Sequence, residues 1–170
     1  LETHAKLIYI NTVHAIPEQP PGKVMAEVTA FDPQKVVGEY AKTKAEAANY
    51  VLQMRKTSGL NACILHPSGM IGPYDFGNSH LTQLILDYAN GRLRACVKGG
   101  YDFVDVRDVA QGAILACHYG KPGQCYILSN VFLSIPELLS LIGKVGNIPR
   151  VKHILPMWLA KFTAPLAEEY

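Results

Sequence analysis

Leu7-Ile-Tyr-Ile-Asn-Thr-Val13 decides how this 170-residue chain is read. The run is apolar and β-branched and alternates little before its polar end. It predicts a strand covered on both faces, as in a parallel sheet. Outward from it, Ala15 to Pro33 holds prolines at 17, 20, 21 and 33 and predicts a long loop. Val37 to Lys56 predicts a helix with a small apolar stripe at Ala41, Ala45, Ala48 and Leu52, stopped by Gly59. Asn61-Ala-Cys-Ile-Leu-His66 predicts a second buried strand, and His66 to Gly77 a loop rich in Pro and Gly. A helix from Leu81 to Asn90 stops at Gly91, and Leu93 to Val97 is a short strand.

Phe103-Val-Asp-Val106 is a brief extended piece that runs into a helix from Arg107 to Tyr119, followed by a strand from Gln124 to Leu128. Ser134-Ile-Pro-Glu137 has the spacing of a capping box and opens a helix to Val145. Val151 to Leu155 predicts a strand, and Pro156 onward a last helix. Strands alternating with helices predict an α/β fold with a largely parallel sheet.

Hydrophobic residues make up 49% of the chain and charged residues 18%, the balance of a soluble globular protein with a core. Sixteen basic residues against 14 acidic give a net charge of +2, which offers no electrostatic case for nucleic acid or an anionic membrane as partner. No apolar run reaches membrane-spanning length, and the N-terminus lacks a signal-peptide pattern. Cys63, Cys96, Cys117 and Cys125 form no C-x-x-C pair. Buried reduced thiols in a cytoplasmic protein are expected rather than disulfides or zinc, and no metal site is expected.

Tyr40-Ala-Lys-Thr-Lys44 carries the chemistry. On a helix, residues four apart lie on one face about one turn from each other. A phenol titrates near ~10 in water and is a poor acid or base at neutral pH. A neighbouring cation favours the phenolate, so a Tyr with a Lys one turn on can exchange protons at physiological pH. A surface Lys beside a half-buried Tyr has the same spacing, so the surrounding motifs decide between the two.

Those motifs fall in a recognisable order: a strand ending in Thr12, Tyr40-x-x-x-Lys44, His66-Pro-Ser-Gly-Met-Ile-Gly-Pro73, and Tyr101-Asp-Phe-Val-Asp-Val-Arg-Asp-Val-Ala110. Together they resemble the extended short-chain dehydrogenase/reductase family of NAD(P)-dependent epimerases, dehydratases and reductases. The resemblance implies a Rossmann-like, doubly wound parallel sheet, here its second half, with a small C-terminal α/β substrate-binding region. Residues 1–100 would form the second half of the Rossmann-like domain with the catalytic residues. Residues 101–170 would be a mixed segment with part of the substrate-binding region.

The resemblance implies roles by position. Tyr40 is the acid/base, Lys44 grips the nicotinamide ribose and tunes the phenol, and Thr12 hydrogen-bonds the reacting oxygen. Pro67, Ser68 and Ile71 lie on the loop that passes the nicotinamide carboxamide. The implied cofactor is NAD or NADP, which performs hydride transfer while the protein supplies position and electrostatics. The implied partners are a small-molecule substrate and a second copy of the chain in a homodimer.

The chain also departs from the family pattern. The Gly-rich turn that cradles the pyrophosphate, expected upstream of Leu7, is absent from this sequence. Gly69-x-x-Gly72, Gly120-x-x-Gly123 and Gly143-x-x-Gly146 lack its strand-turn-helix setting and are expected to be turns or helix stops. The N-terminal half is therefore expected to be needed to complete the sheet, and this segment alone is expected to bind the cofactor weakly and to be inactive. Tyr101 replaces an Arg common in nucleotide-sugar enzymes, Gly69 replaces an Asn, and His66 replaces an Arg. Val13 and His14 follow Thr12 where sugar dehydratases have an Asp-Glu pair.

These departures favour the reductase branch, similar to dihydroflavonol reductase, over a nucleotide-sugar epimerase or dehydratase. A non-catalytic scaffold lacking the cofactor turn is a third reading. His14 either faces the substrate cleft or is a solvent-exposed loop residue, and Gly69 is a second candidate for substrate contact. His66 either caps its strand or has a catalytic role. Asp105 and Asp108 fit the first turn of a helix. Met157 and Trp158 either line a substrate pocket or pack in the core.

Overall fold

A computed structural model describes residues 5–20, 22–93, 95–149, 151 and 153–156 of the chain. In chain order the elements are β1 (Leu7–Ile10), 3-10 turns at Val13–Ala15 and Pro33–Lys35, α1 (Glu39–Ser58), β2 (Ala62–Pro67), β3 (Gly69–Ile71), α2 (His80–Ala89), β4 (Ala95–Val97), β5 (Gly100–Asp105), α3 (Val106–Tyr119), β6 (Cys125–Leu128), β7 (Val131–Ser134), α4 (Ile135–Gly146) and β8 (His153–Leu155). They divide between two compact units, Leu1–Met70 with Val104–Ser129, and Ile71–Phe103 with Asn130–Tyr170. The chain crosses between the units after residues 70, 103 and 129.

The first unit is built on a parallel sheet of order β1-β2-β6. Leu7 to Ile10 pair in register with Ala62 to Leu65, and Ile64 to Pro67 with Cys125 to Leu128. All six residues of central β2 are buried. Alternation along β2 divides the core. Ile64 joins Ala41, Ala45, Ala48 and Leu52 of α1 and Phe31 of the long loop on one face. Cys63 and Leu65 meet Ala113 and Ala116 of α3 on the other. Helices on both faces of a parallel sheet make this a Rossmann-like, doubly wound arrangement, as predicted.

β1 packs on both faces, with Tyr9 on the α1 side and Ile8 on the α3 side, and its edge is the open one expected of an incomplete sheet. The strand is four residues long and lies at the sheet edge, where Leu7 and Ile10 stay 40% and 39% exposed. At the other edge, the carboxylate of Glu27 accepts the backbone N–H of Ile127 at 3.1 Å, which satisfies a donor that an open edge would leave unpaired.

Helix α1 forms where the alanine periodicity places it. The predicted stripe of Ala41, Ala45, Ala48 and Leu52 is its buried face. Arg55 and Lys56 complement the dipole in its last turn. Gly59 ends it at φ 66°, a left-handed conformation that costs glycine little. Helix α3 is closed by Lys6, whose ammonium donates to the carbonyls of Ala116, Cys117 and Gly120 at 2.7, 3.1 and 2.5 Å.

In the second unit, Tyr88, Cys96, Ile135 and Leu139 form the core, with Leu84, Leu93, Ile142, Ile148 and Val151 around them. Strand β4 pairs in parallel with β8, and Gly100 to Phe103 pair antiparallel with Ser134 to Val131. The predicted capping box opens α4: the Ser134 hydroxyl accepts the N–H of Glu137, whose carboxylate accepts that of Ser134. Gly143 is neither the turn nor the helix stop expected. It lies inside α4, where an added Cβ would stand 2.5 Å from the Tyr88 hydroxyl. The helix predicted from Pro156 onward lies outside the described residues.

Candidate active site

The candidate residues of the first unit gather at the C-terminal ends of its parallel strands, where α/β sheets bind ligands. Thr12 follows β1, and Pro67 and Ser68 end β2 and begin the loop to Gly69. Thr12 is buried in extended conformation, φ −156° and ψ 152°, and caps the turn Val13–Ala15. Its Oγ1 accepts the backbone N–H of His14 at 3.3 Å. An oxygen occupied as acceptor in this way retains its own O–H for a second partner.

Tyr40 lies in the first turn of α1 and is 59% exposed. The Lys44 ammonium stands 5.7 Å from the centre of its ring. The ring of His14 meets Tyr40 edge-on, with centroids 6.5 Å apart. His14 is solvent-exposed and lies in the turn Val13–Ala15. Neither the Tyr40 hydroxyl nor the Lys44 ammonium has a hydrogen-bond or ion-pair partner among the described residues.

Pro67 is fully buried. Ser68 donates its backbone N–H to Leu128 at 3.0 Å, while its Oγ is buried with no hydrogen-bond partner among the described residues. Ile71 belongs to β3 and to the second unit. Met157 and Trp158 lie outside the described residues.

His66 is fully buried, stacked on Phe31 with ring centroids 5.2 Å apart, and its Nδ1 lies 2.9 Å from the Thr12 carbonyl. Burial pushes its pKa down, against a smaller upward pull from that hydrogen bond, so the ring is held neutral. Asp105 caps α3 by accepting the N–H of Arg107, and Asp108 stands in the first turn. Bonds from the Arg107 side chain and backbone hold the Asp105 carboxyl at about 2. Burial raises the thiols of Cys63, Cys96 and Cys125, the last to about 11. All four cysteines are free. Among the described residues no cluster of His, Cys, Asp or Glu could hold a metal ion.

The sequence reading misses two asparagines that join these pieces. Asn11 donates its amide to the Lys44 carbonyl at 3.1 Å. Asn49 accepts the Phe31 N–H at 3.1 Å and donates to the Phe31 carbonyl at 2.7 Å. The signal for Asn11 is a buried amide at the end of an apolar strand, beside Thr12.

Comparison with known proteins shows the family to which these residues belong. The chain belongs to the NAD dependent epimerase/dehydratase family, whose model matches residues 1–129. It is 33% identical over 141 residues to sterol demethylase protein B of Methylococcus capsulatus, covering 83% of this chain and 42% of that protein. It is 30% identical over 158 residues to a putative dihydroflavonol 4-reductase of Synechocystis sp., covering 91% of this chain and 46% of that protein. The crystal structure of gox2253 superposes with a TM-score of 0.85 at 31% identity, over 96% of this chain and 51% of that one. The chain thus spans about half the length of the relatives it matches.

Proposed function

We propose that this chain supplies the catalytic part of an NAD(P)-dependent oxidoreductase that interconverts a carbonyl and an alcohol on a small molecule, with Tyr40 exchanging the proton. The observation that carries the proposal is the exposed phenol of Tyr40 beneath the Lys44 ammonium, next to the turn that Thr12 caps. A carbonyl being reduced gains negative charge on oxygen, and a positioned acid at that oxygen lowers the barrier. Tyr40 Oη gives its proton to that oxygen, or takes it back in the reverse direction. The O–H of Thr12 donates to the same oxygen and orients it.

The residues present fit a nicotinamide dinucleotide. Lys44 offers free donors for ribose hydroxyls, and the unpartnered Ser68 Oγ is suited to a polar ligand group. Pro67 would border the nicotinamide, and His14 and Gly69 the substrate. The bound cofactor, NAD or NADP, supplies the hydride. In the complete protein, the free edge of β1 would pair with the strands that carry the pyrophosphate turn. A homodimer in the cytoplasm, where thiols stay reduced, completes the proposal.

The reductase branch is favoured over a sugar dehydratase because Val13 and His14, not two carboxylates, follow Thr12, and because one relative carries the name dihydroflavonol 4-reductase. The family description names epimerases and dehydratases, and a nucleotide-sugar epimerase or dehydratase is the second reading.

Tyr40→Phe in the complete protein tests the proposal. kcat should fall by roughly 10²–10⁴-fold, the contribution of general acid-base catalysis, with cofactor affinity nearly unchanged. Turnover at the unaltered rate would remove Tyr40 from the mechanism.

A further inference from the structure

We propose that His66 is a positioning residue: its buried imidazole holds the Thr12 carbonyl, and through it the Thr12 hydroxyl, in fixed register with the helix that carries Tyr40 and Lys44. This rests on the oxidoreductase reading and assigns a task to a residue that reading leaves idle.

The Thr12 carbonyl is the fixed point. It accepts His66 Nδ1 at 2.9 Å and the N–H of Ala15 at 3.2 Å. A carbonyl oxygen can only accept, so Nδ1 carries the proton. The same carbonyl belongs to the peptide that leads into Val13 and His14, and the His14 N–H holds Thr12 Oγ1. Fixing that peptide plane therefore fixes where the hydroxyl points.

The imidazole is itself held. It stacks on Phe31 at an interplanar angle of 28°, and both backbone polar groups of Phe31 are bound by the side chain of Asn49 on α1. On the other side of Thr12, Asn11 binds the Lys44 carbonyl, also on α1. The circuit closes: Lys44, Asn11, Thr12, His66, Phe31, Asn49 and back into the same helix. Six residues from two elements and two connecting segments lock the strand end to the helix through hydrogen bonds and one ring stack. A ring needed only to fill space could be a hydrocarbon. Burying a polar imidazole is unfavourable unless its hydrogen bond is made. His66 Nδ1 makes that bond to the backbone of the residue that carries the candidate substrate hydroxyl, while Nε2 is buried with no partner among the described residues.

The test compares His66→Phe, which keeps the ring and its stacking but has no donor, with His66→Asn, whose amide nitrogen can stand where Nδ1 stood. In the complete protein, His66→Phe should lower kcat by roughly 10–100-fold, the scale of a small misplacement of a reacting group, and leave the KM for cofactor within about twofold. His66→Asn should recover turnover to within about threefold of the unaltered enzyme. The double variant His66→Phe/Thr12→Ala should be no slower than Thr12→Ala alone, because the histidine acts only through the threonine. Additive losses, an unchanged kcat in His66→Phe, or no recovery in His66→Asn would each overturn the proposal.

A ¹⁵N spectrum of the unaltered protein reads the bond without turnover. Neutral His66 protonated at Nδ1 is expected, and protonation at Nε2 would refute the brace even if Tyr40→Phe upholds the oxidoreductase. This measurement also decides the matter if His66→Phe does not fold.

Discussion

Replacing Lys6 by Met tests how the first unit holds the end of α3 against its sheet. The methionine keeps most of the aliphatic stem and removes the ammonium. Three carbonyls lose a charged donor: Ala116 and Gly120 at part-buried positions and Cys117 at an exposed one. Water can replace the donor at Cys117, and Ala116 keeps the N–H of Gly120 at 2.9 Å. Two partly buried charged hydrogen bonds at about 1.5 kcal/mol each give roughly 3 kcal/mol, and hydration of the freed carbonyls returns part of it. The favourable position of a cation at a helix C-terminus contributes within the same range. The expected loss is about 2 kcal/mol, read as a lower urea midpoint in far-ultraviolet circular dichroism with an unchanged m-value. A loss under about 0.5 kcal/mol, the level of an ordinary surface substitution, would show that solvent replaces the ammonium and would refute its role as the closure of α3.

Three further outcomes follow from the packing and the titrating groups. Gly143→Ala should destabilise the second unit by about 1–3 kcal/mol despite the better helix propensity of alanine, because the new methyl meets the Tyr88 hydroxyl, which donates to the Pro149 carbonyl; urea denaturation that shows a gain would mean that Tyr88 moves freely. Asp105 is depressed from 3.8 to about 2 by Arg107, so its contribution to stability is in place above about pH 4 and is lost as pH falls toward about 2. Asp105→Asn should therefore flatten the acid limb of a stability-pH profile, and an unaltered limb would exclude the pair as its source. Iodoacetamide followed by mass spectrometry should label exposed Cys117 in the native protein and reach Cys63, Cys96 and Cys125 only after denaturation. Rapid native labelling of Cys125 would contradict its burial.

The elements visible in the sequence are those whose signals are local. The alanine spacing of α1 shows its length and its buried face, and Gly59 shows its end, because helical periodicity and a left-handed stop need no tertiary partner. The Ser134 capping box is equally local. Strand β7 escapes notice because Val131-Phe-Leu-Ser134 runs directly into that cap and is made a strand by pairing with β5. Strand β3 hides in a segment read as a Pro- and Gly-rich loop. The interleaving of the two units depends on contacts between distant segments. The same division holds at the site. Tyr40 and Lys44 are legible because four residues make one turn. The bonds of Asn11, Asn49 and His66 span separations of 33, 18 and 54 residues, which no local pattern encodes.

The methyl stripe of α1 has a consequence for anyone who diversifies this scaffold. Ala41, Ala45 and Ala48 act as a shim of fixed thickness between helix and sheet, and larger side chains there would lift the helix and carry Tyr40 and Lys44 away from the strand ends. Libraries meant to retune substrate preference should leave those three positions untouched. Thr43, Glu46 and Tyr50, on the solvent side of the same helix, can be varied without altering that spacing.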